Sequence, residues 1–567
     1  MKLQTILLAL LVFTAFFLRI YKIDQVPASL YYDEVDYGYQ ARSLIETGKD
    51  YRGSLSPFYV HSFNDIRAPI PAYFTALTTL LFSKPELQVR MPFVISGTLV
   101  VALVFFLMQF WSKKTFLPFL TALVFAINPW QIQFSRFSHE AMVMELFYLS
   151  GLLFFFISLK FKNYFQLLAS IILFSLCLYT YRTMSFFIPI TFLVLFILYN
   201  KHFLCFGVKK FSLLLLSAAF IMIPFLIFTT IKAPDIPRIN QLAITSDPTI
   251  PIWIQRNREI DSGDLEDATL GKKAVFSSYI FHNKPLSWAY SFSSNHLQTF
   301  SVEFLFLKGD PNLRHSIGGI GEIFFIEALA LISGLFYIVR NIKTREYKFL
   351  LIWFLAAPIP AALTVDGARH GARLFIFSAP LLIIIGIGWW YLFKNIQKIN
   401  YHKRIIFLIL VIWVFQFVVY YHRYLKHYPI ESARYFGYGF KQAMSKISLE
   451  EDKYKKIAMV GTNDPPMIYY LFWSKTPPEY LQDYGSNFSD GRILQKKLDK
   501  YKVIDWPDIR TKEEMVKYLN MDTLYLLTQN ELPKQVRDNI AQIKEIKLID
   551  EIKYPDQQIA FYLLTKN

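Results

Sequence analysis

From residue 1 to about residue 422 the sequence is a succession of long apolar runs separated by short loops, many of them basic. A backbone in hydrocarbon must satisfy its own polar groups, so such a chain can fold only as a bundle of membrane helices. A spanning helix needs about 20 apolar residues, within roughly 17–25. Eleven runs qualify, near 3–20, 90–110, 116–131, 141–159, 164–181, 184–200, 211–231, 319–339, 348–364, 373–393 and 404–422. Alternate loops carry Lys113 and Lys114; Lys160 and Lys162; Lys201, Lys209 and Lys210; Arg340, Lys343, Arg345 and Lys348; Lys394, Lys398, Lys403 and Arg404, with Glu346 the one acid among them. This basic excess marks the cytoplasmic side. It also accounts for much of the net charge of +17, so the charge is a topological signal and no nucleic-acid partner is expected.

Hydrophobic residues make up 54% of the 567 positions, against roughly 45–50% in a soluble domain. The excess stops near residue 423, and the last roughly 140 residues read as one ordinary soluble domain. The expected fold is mostly α: a polytopic membrane region over 1–422 and an extracytoplasmic α/β domain over 423–567. Residues 69–82 (PIPAYFTALTTLLF) are apolar but too short to span comfortably. Counting them as a span would invert every later loop, so they are read as an interfacial or re-entrant helix. The N-terminus is then cytoplasmic and the C-terminus outside. The first run lacks a small-residue cleavage site before Arg19 and is read as an anchor.

Two outer loops are long, 21–89 and 232–318, and loops of such length are usually functional. In the soluble region KKIAMVG (455–461), DTLYLLT (522–528) and QIAFYLL (558–564) read as strands, and EEMVKYLN (513–520) as a helix. GTND (461–464) reads as a strand-to-helix turn rather than a nucleotide site. The two cysteines, Cys177 and Cys205, lie at opposite ends of a helical hairpin, where no disulfide is expected. No CxxC or HExxH spacing is present to support a structural zinc site.

Polar residues gather at the outer ends of the runs. Asp33 and Glu34 open the first outer loop in YYDEVDYGYQARSLIETG (31–48). Helix capping is the plain alternative for them, with Asp33 as N-cap. Asn64, Asp65 and Arg67 precede the short helix; Arg136, His139 and Glu140 lie in FSRFSHE (134–140); Arg182 follows YTY. LKGDPNLRHS (307–316) supplies Lys308, Asp310, Arg314 and His315, and TVDGARHGAR (364–373) supplies Asp366, Arg369, His370 and Arg373. Long cationic side chains at a boundary often snorkel. Five clusters on one side, mixed with carboxylates and against the topological charge bias, call for an anionic partner.

A sugar carried on a polyprenyl phosphate meets these requirements. Its phosphate leaves readily when charge is stabilised, and arginine offers bidentate contacts and a permanent charge. The incoming hydroxyl is a weak nucleophile that needs a carboxylate base. Arg136, Arg182, Arg314, Arg369 and Arg373 are therefore candidate phosphate ligands. Asp33 and Glu34 are candidate catalytic residues, and Asp65, His139, Glu140, His315, Asp366 and His370 are further site candidates. Adjacent carboxylates on a helix point about 100° apart, so one of Asp33 and Glu34 is the base while the other holds an acceptor, a metal or a neighbouring side chain. A divalent cation is compatible, with no ligand set dictated.

At these residues the chain resembles the membrane glycosyltransferases of the GT-C fold, in particular protein O-mannosyltransferases and bacterial glycosyltransferase family 39 proteins. DEVDYG (33–38) looks like their DEV…G signature and DIRAPI (65–70) like their second motif, where Arg67 and Ala68 depart from the commoner residues. NPWQIQFSRFSHEA (128–141), FLKGDPNLRHS (306–316) and APIPAALTVDGARHGAR (357–373) are similar to stretches in bacterial members. The resemblance implies a catalytic Asp33, a polyprenyl-phosphate sugar donor and an extracytoplasmic site. At Arg67 it favours phosphate contact over metal binding. The activity it implies moves a hexosyl or pentosyl group to a glycan, lipid or protein acceptor. A flippase or transporter of lipid-linked sugars and a non-catalytic glycan assembly protein are the alternatives. Transporters place ionisable groups near the bilayer midplane and often in repeated halves, unlike the outer-end clusters here.

Overall fold

A computed structural model describes residues 2–55, 58–63, 66–112, 114, 116–227, 242–262, 276–461, 465–482 and 500–567. Asn64, Asp65 and residues 462–464 of the GTND turn lie outside the described residues. The chain forms two compact units, one of residues 1–99, 132–146 and 415–567, the other of 100–131 and 147–414.

Among the described residues, six helices of 20 residues or more are long and apolar enough to cross a membrane: Pro85–Trp111, Glu140–Phe161, Met184–Leu204, Val208–Ile227, Phe375–Ile396 and His402–Lys426. Each falls on one of the eleven runs. Of the other five runs, the first forms an uninterrupted 19-residue helix and four form shorter or interrupted helices, for local reasons. The run near 116–131 stops at Ile127, because Asn128 precedes Pro129 and takes an extended conformation before a new helix, Pro129–Arg136, begins. The run near 164–181 tightens into a 3-10 turn at Cys177–Tyr179. Glycines at 318, 319 and 321 delay the next helix to Glu327–Arg340. Arg345–Ala356 ends just ahead of Pro358. The first run gives α1, Lys2–Ile20. The short run forms a 13-residue helix, Pro69–Leu81, with proline in its first turn.

In the first unit, α1 leads through a turn into α2 (Tyr32–Thr47). A two-stranded ladder follows, β1 (Val60–His61) and β2 (Ile66–Arg67), with Val60 opposite Arg67. The C-terminal part builds a five-stranded sheet from β3 (Lys456–Val460), β4 (Tyr501–Ile504), β5 (Thr523–Leu527), β6 (Ile546–Lys553) and β7 (Ile559–Lys566). Their order is β4-β3-β5-β7-β6, parallel across β4, β3 and β5 and antiparallel at β7. The three expected strands are β3, β5 and β7, and the expected helix is Lys512–Tyr518, opened by a Thr511–Glu514 capping box.

Side chains alternate across a strand, and both faces of this sheet are buried. Ala458, Val460, Tyr525, Leu527, Tyr562 and Leu564 pack with Met515, Leu519 and Val536. On the other face Ile457, Met459, Leu524, Leu526, Phe561 and Leu563 share a core with Leu30, Val35, Tyr39, Tyr51 and Phe63 of the 21–89 loop. The loop and the sheet are thus one packed body. Gly38 allows the close approach: a Cβ there would lie 2.3 Å from the Phe472 ring. Tyr39 also donates to the Thr476 carbonyl at 3.1 Å. Replacing Gly38 with alanine is expected to lower thermal stability in detergent by about 1–3 kcal/mol, the usual cost of overpacking, read from the unfolding midpoint.

Candidate active site

Helical spacing sorts the acidic residues of α2 into two faces. Asp33, Asp36 and Tyr37 stand three and four residues apart and share one side, while Glu34 points about 100° away. Asp33 is the second residue of the helix, not its N-cap. Tyr31 holds that place, and Glu34 accepts from its backbone N–H at 3.2 Å. The capping role belongs to Glu34.

Glu34 is fully buried and bound by Arg90, also fully buried, through Nε at 2.8 Å and a second nitrogen at 3.1 Å. The Ser138 N–H adds a third contact at 3.1 Å. Arg90 also donates to the carbonyls of Ile23, Pro27 and Ser29. Glu34 is the carboxylate that holds a neighbouring side chain.

On the other face Arg67, delivered by β2, meets three carboxylates. Its guanidinium pairs with Asp33, lies 3.0 Å from Asp36 Oδ2, and is 3.9 Å from Glu140 Oε1. The rings of Tyr32 and Tyr37 each lie 5.5 Å from its central carbon. Burial alone would lower the Arg67 pKa; Asp33 and Asp36 more than offset it and hold it above the usual arginine range. Tyr37 donates to Glu140 at 2.5 Å. Asp36 is completely buried and accepts from the hydroxyls of Tyr51 at 2.7 Å and Ser62 at 3.1 Å. Asp33, by contrast, keeps 30% of its side chain exposed. The arrangement presents one solvent-reaching carboxylate beside a fixed cation, backed by two shielded acids.

His139 lies beside Glu140, with Nδ1 3.8 Å from its carboxylate. Arg136 is buried, and its terminal nitrogens donate to the carbonyls of Leu18, Arg19, Tyr21 and Val26 at 2.8–3.0 Å. It braces the turn after α1, and its terminal nitrogens face main-chain oxygen.

The remaining candidates belong to the second unit. Arg182 sits in the turn before Met184–Leu204. Arg369 pairs with Glu303 at 2.9 Å, and Arg373 pairs with Asp366 and donates to Thr364 Oγ1 at 2.7 Å. Arg314 follows a turn in which its N–H bonds Asn312 Oδ1 at 3.0 Å. His315 Nδ1 lies 2.8 Å from buried Asp310, and the His315 and His370 rings are 5.0 Å apart. Burial would raise the Asp310 carboxyl, but the His315 contact holds it below the usual range. Burial, with His315 and Arg373 nearby, pushes His370 down to about 4.

Four participants escaped the sequence reading: Asp36, Tyr37, Arg90 and Glu303. Asp36 and Tyr37 were legible as the i, i+3 and i, i+4 companions of Asp33. Arg90 was visible as a charge at the head of an apolar run. Glu303 carried no local signal.

A family model described as dolichyl-phosphate-mannose-protein mannosyltransferase matches residues 66–228, a stretch that includes Arg67, Arg90, Arg136, His139, Glu140 and Arg182. No curated protein matches the chain. Among solved structures, the chain resembles the archaeal oligosaccharyltransferase AglB from Archaeoglobus fulgidus, determined in complex with an inhibitory peptide and a dolichol-phosphate. The TM-score is 0.50 at 12% identity, covering 82% of this chain and 63% of AglB. ArnT from Cupriavidus metallidurans, bound to undecaprenyl phosphate, aligns over 99% of this chain and 98% of its own at 9% identity and a TM-score of 0.44. The chain thus spans less than two thirds of the length of AglB. It is a multi-pass membrane protein with the GT-C fold that the sequence resemblance implied.

Proposed function

We propose that the chain is a glycosyltransferase that moves a sugar from a polyprenyl-phosphate donor to an acceptor hydroxyl at the outer membrane face. The observation that carries this reading is the Asp33–Arg67 pair: a carboxylate open to solvent and paired with a largely shielded cation. Asp33 takes the proton of the acceptor hydroxyl as its oxygen bonds to the anomeric carbon. The bond from that carbon to the phosphate oxygen breaks, and the electron pair leaves with the lipid phosphate. The charge gained by the phosphate is where preorganised cations act most strongly; Arg182, Arg314, Arg369 and Arg373 are assigned to it. The family match over 66–228 and the likeness to the fold of AglB support the reaction class. The sugar and the acceptor are left to assay.

The deciding experiment incubates purified protein with a panel of polyprenyl-phosphate hexoses and pentoses and a membrane extract as acceptor source. Transfer from one donor, with release of the lipid phosphate, is expected. Donor movement across vesicles without any transfer would instead identify a flippase.

Two further outcomes follow. Cysteine labelling from outside should reach the tail after Tyr421 and the loops 21–89 and 232–318; a tail labelled only from the cytoplasm would overturn the assignment of the site. Arginine-to-lysine changes at 182, 314, 369 and 373, made singly, should impair donor use at two positions or more despite the retained charge, because the bidentate geometry is lost. Normal donor KM and turnover in all four would make these arginines topological.

A further inference from the structure

We infer that Asp310, His315 and His370 form a binding site for a zinc-class divalent ion. Among the described residues they are a group of three whose ligand atoms, one oxygen and two imidazole nitrogens, lie within 4.8 Å of one another. The chain is shaped locally to bring them together. Gly309 has φ +69°, a conformation glycine adopts freely, and a Cβ there would lie 2.3 Å from Ser316 Oγ. Asp310 Oδ1 then accepts from the Asn312 N–H at 2.7 Å, and the Asn312 carbonyl accepts from the His315 N–H at 2.9 Å. These bonds fold residues 310–315 back so that the His315 ring returns to its own carboxylate. A separate segment supplies the third member: the Gly371 N–H donates to Asp310 Oδ2 at 2.6 Å, placing His370 beside His315. A side chain at 371 would lie 3.2 Å from that oxygen and 3.3 Å from His315 Cβ, a tight fit, so glycine leaves the two segments room to meet.

The donor set selects the ion. Two imidazoles with one carboxylate suit zinc and its neighbours, whereas magnesium and calcium take oxygen. Asp310 and His315 are buried, and the Asp310 backbone N–H is itself held by Glu322 at 3.0 Å, the kind of supporting contact that orients a ligand. Three protein donors leave a tetrahedral ion one open position, as in sites that take water or an anionic oxygen. A phosphate oxygen of the lipid donor is the ligand this position suits; that last step rests on the transfer reading, while uptake of the ion does not. The site carries no short-range motif, because its ligands are separated by up to 60 residues.

The test is metal uptake by the full chain in detergent. Protein stripped with EDTA, incubated with zinc chloride and desalted, is expected to retain one zinc per chain by mass spectrometry and to melt at higher temperature than the stripped form. His370→Gln and a His315→Gln/His370→Gln double variant should lose that zinc. A His61→Gln variant, which alters a separate, partly buried Asp–His pair, should keep it. No retained zinc in the parent protein, or equal retention in His370→Gln, would overturn the site. Should the double variant fail to fold, the single His370→Gln variant decides alone, since His370 is only partly buried. Loss of transfer activity with zinc uptake intact would count against the transfer reading and not against this one.

Discussion

Replacing Asp33 with asparagine is expected to lower the rate of sugar transfer by about 10²–10⁴-fold, the usual worth of a general base, while leaving donor binding and thermal stability near those of the parent. The separation of effects follows from where the side chain sits. Asp33 is not the N-cap of α2, and it reaches solvent, so its carboxylate is not needed to close the helix end or the core. Asparagine keeps an oxygen that can accept from Arg67, and Arg67 keeps Asp36 as a partner at 3.0 Å. What is lost is the capacity to take a proton. The measurement is single-turnover transfer with a saturating polyprenyl-phosphate sugar, alongside donor binding and a melting curve. An Asp33→Asn protein that folds, binds donor and transfers at the parent rate would remove the base from this residue, leaving Glu140 as the next carboxylate of the same cluster.

The membrane character of the chain and much of the site were legible because they rest on local pattern. Apolar length and loop charge mark helices whatever their neighbours do, and seven of the eleven runs, the first included, became helices of 19 residues or more. The other four were cut by features also present in the sequence, such as the Asn128-Pro129 step and the glycines before Glu327, whose effect depends on backbone geometry rather than hydropathy. The strands β3, β5 and β7 were readable as apolar runs buried on both faces; β4 and β6, with lysines and acids interspersed, were not. Motif position picked out Asp33, but not which neighbour it faces. That Glu34 serves Arg90 is set by a rotation of about 100° along α2 and by a partner 56 residues away. Arg136 looked like the other outer arginines until its environment of four main-chain carbonyls was visible. The Asp310, His315 and His370 group was assembled from two motifs by a backbone contact at Gly371 that no spacing rule anticipates.

The largest stability effect is expected one residue from Asp33. Glu34 and Arg90 are both fully buried, and each is what compensates the other's charge. Removing one member of a buried pair strands the other and costs about 3–5 kcal/mol. Glu34→Ala should therefore destabilise the protein by that amount, although Arg90 retains the carbonyls of Ile23, Pro27 and Ser29 as partners. Those carbonyls satisfy hydrogen bonds and carry no compensating charge. Glu34 also serves the N–H groups of Tyr31 and Ser138, so its loss loosens the start of α2 and the segment leading to Glu140 together. A double variant, Glu34→Gln with Arg90→Met, removes both charges and should recover part of the loss, because an apolar side chain of similar reach needs no counter-charge. The experiment is thermal or denaturant unfolding in detergent for Glu34→Gln, Arg90→Met and their double variant, read as a double-mutant cycle. Additive losses would show that the two side chains act independently and that the pair does not hold the site. A coupling of several kcal/mol, with Asp33→Asn neutral in the same assay, would place structure on one side of α2 and chemistry on the other.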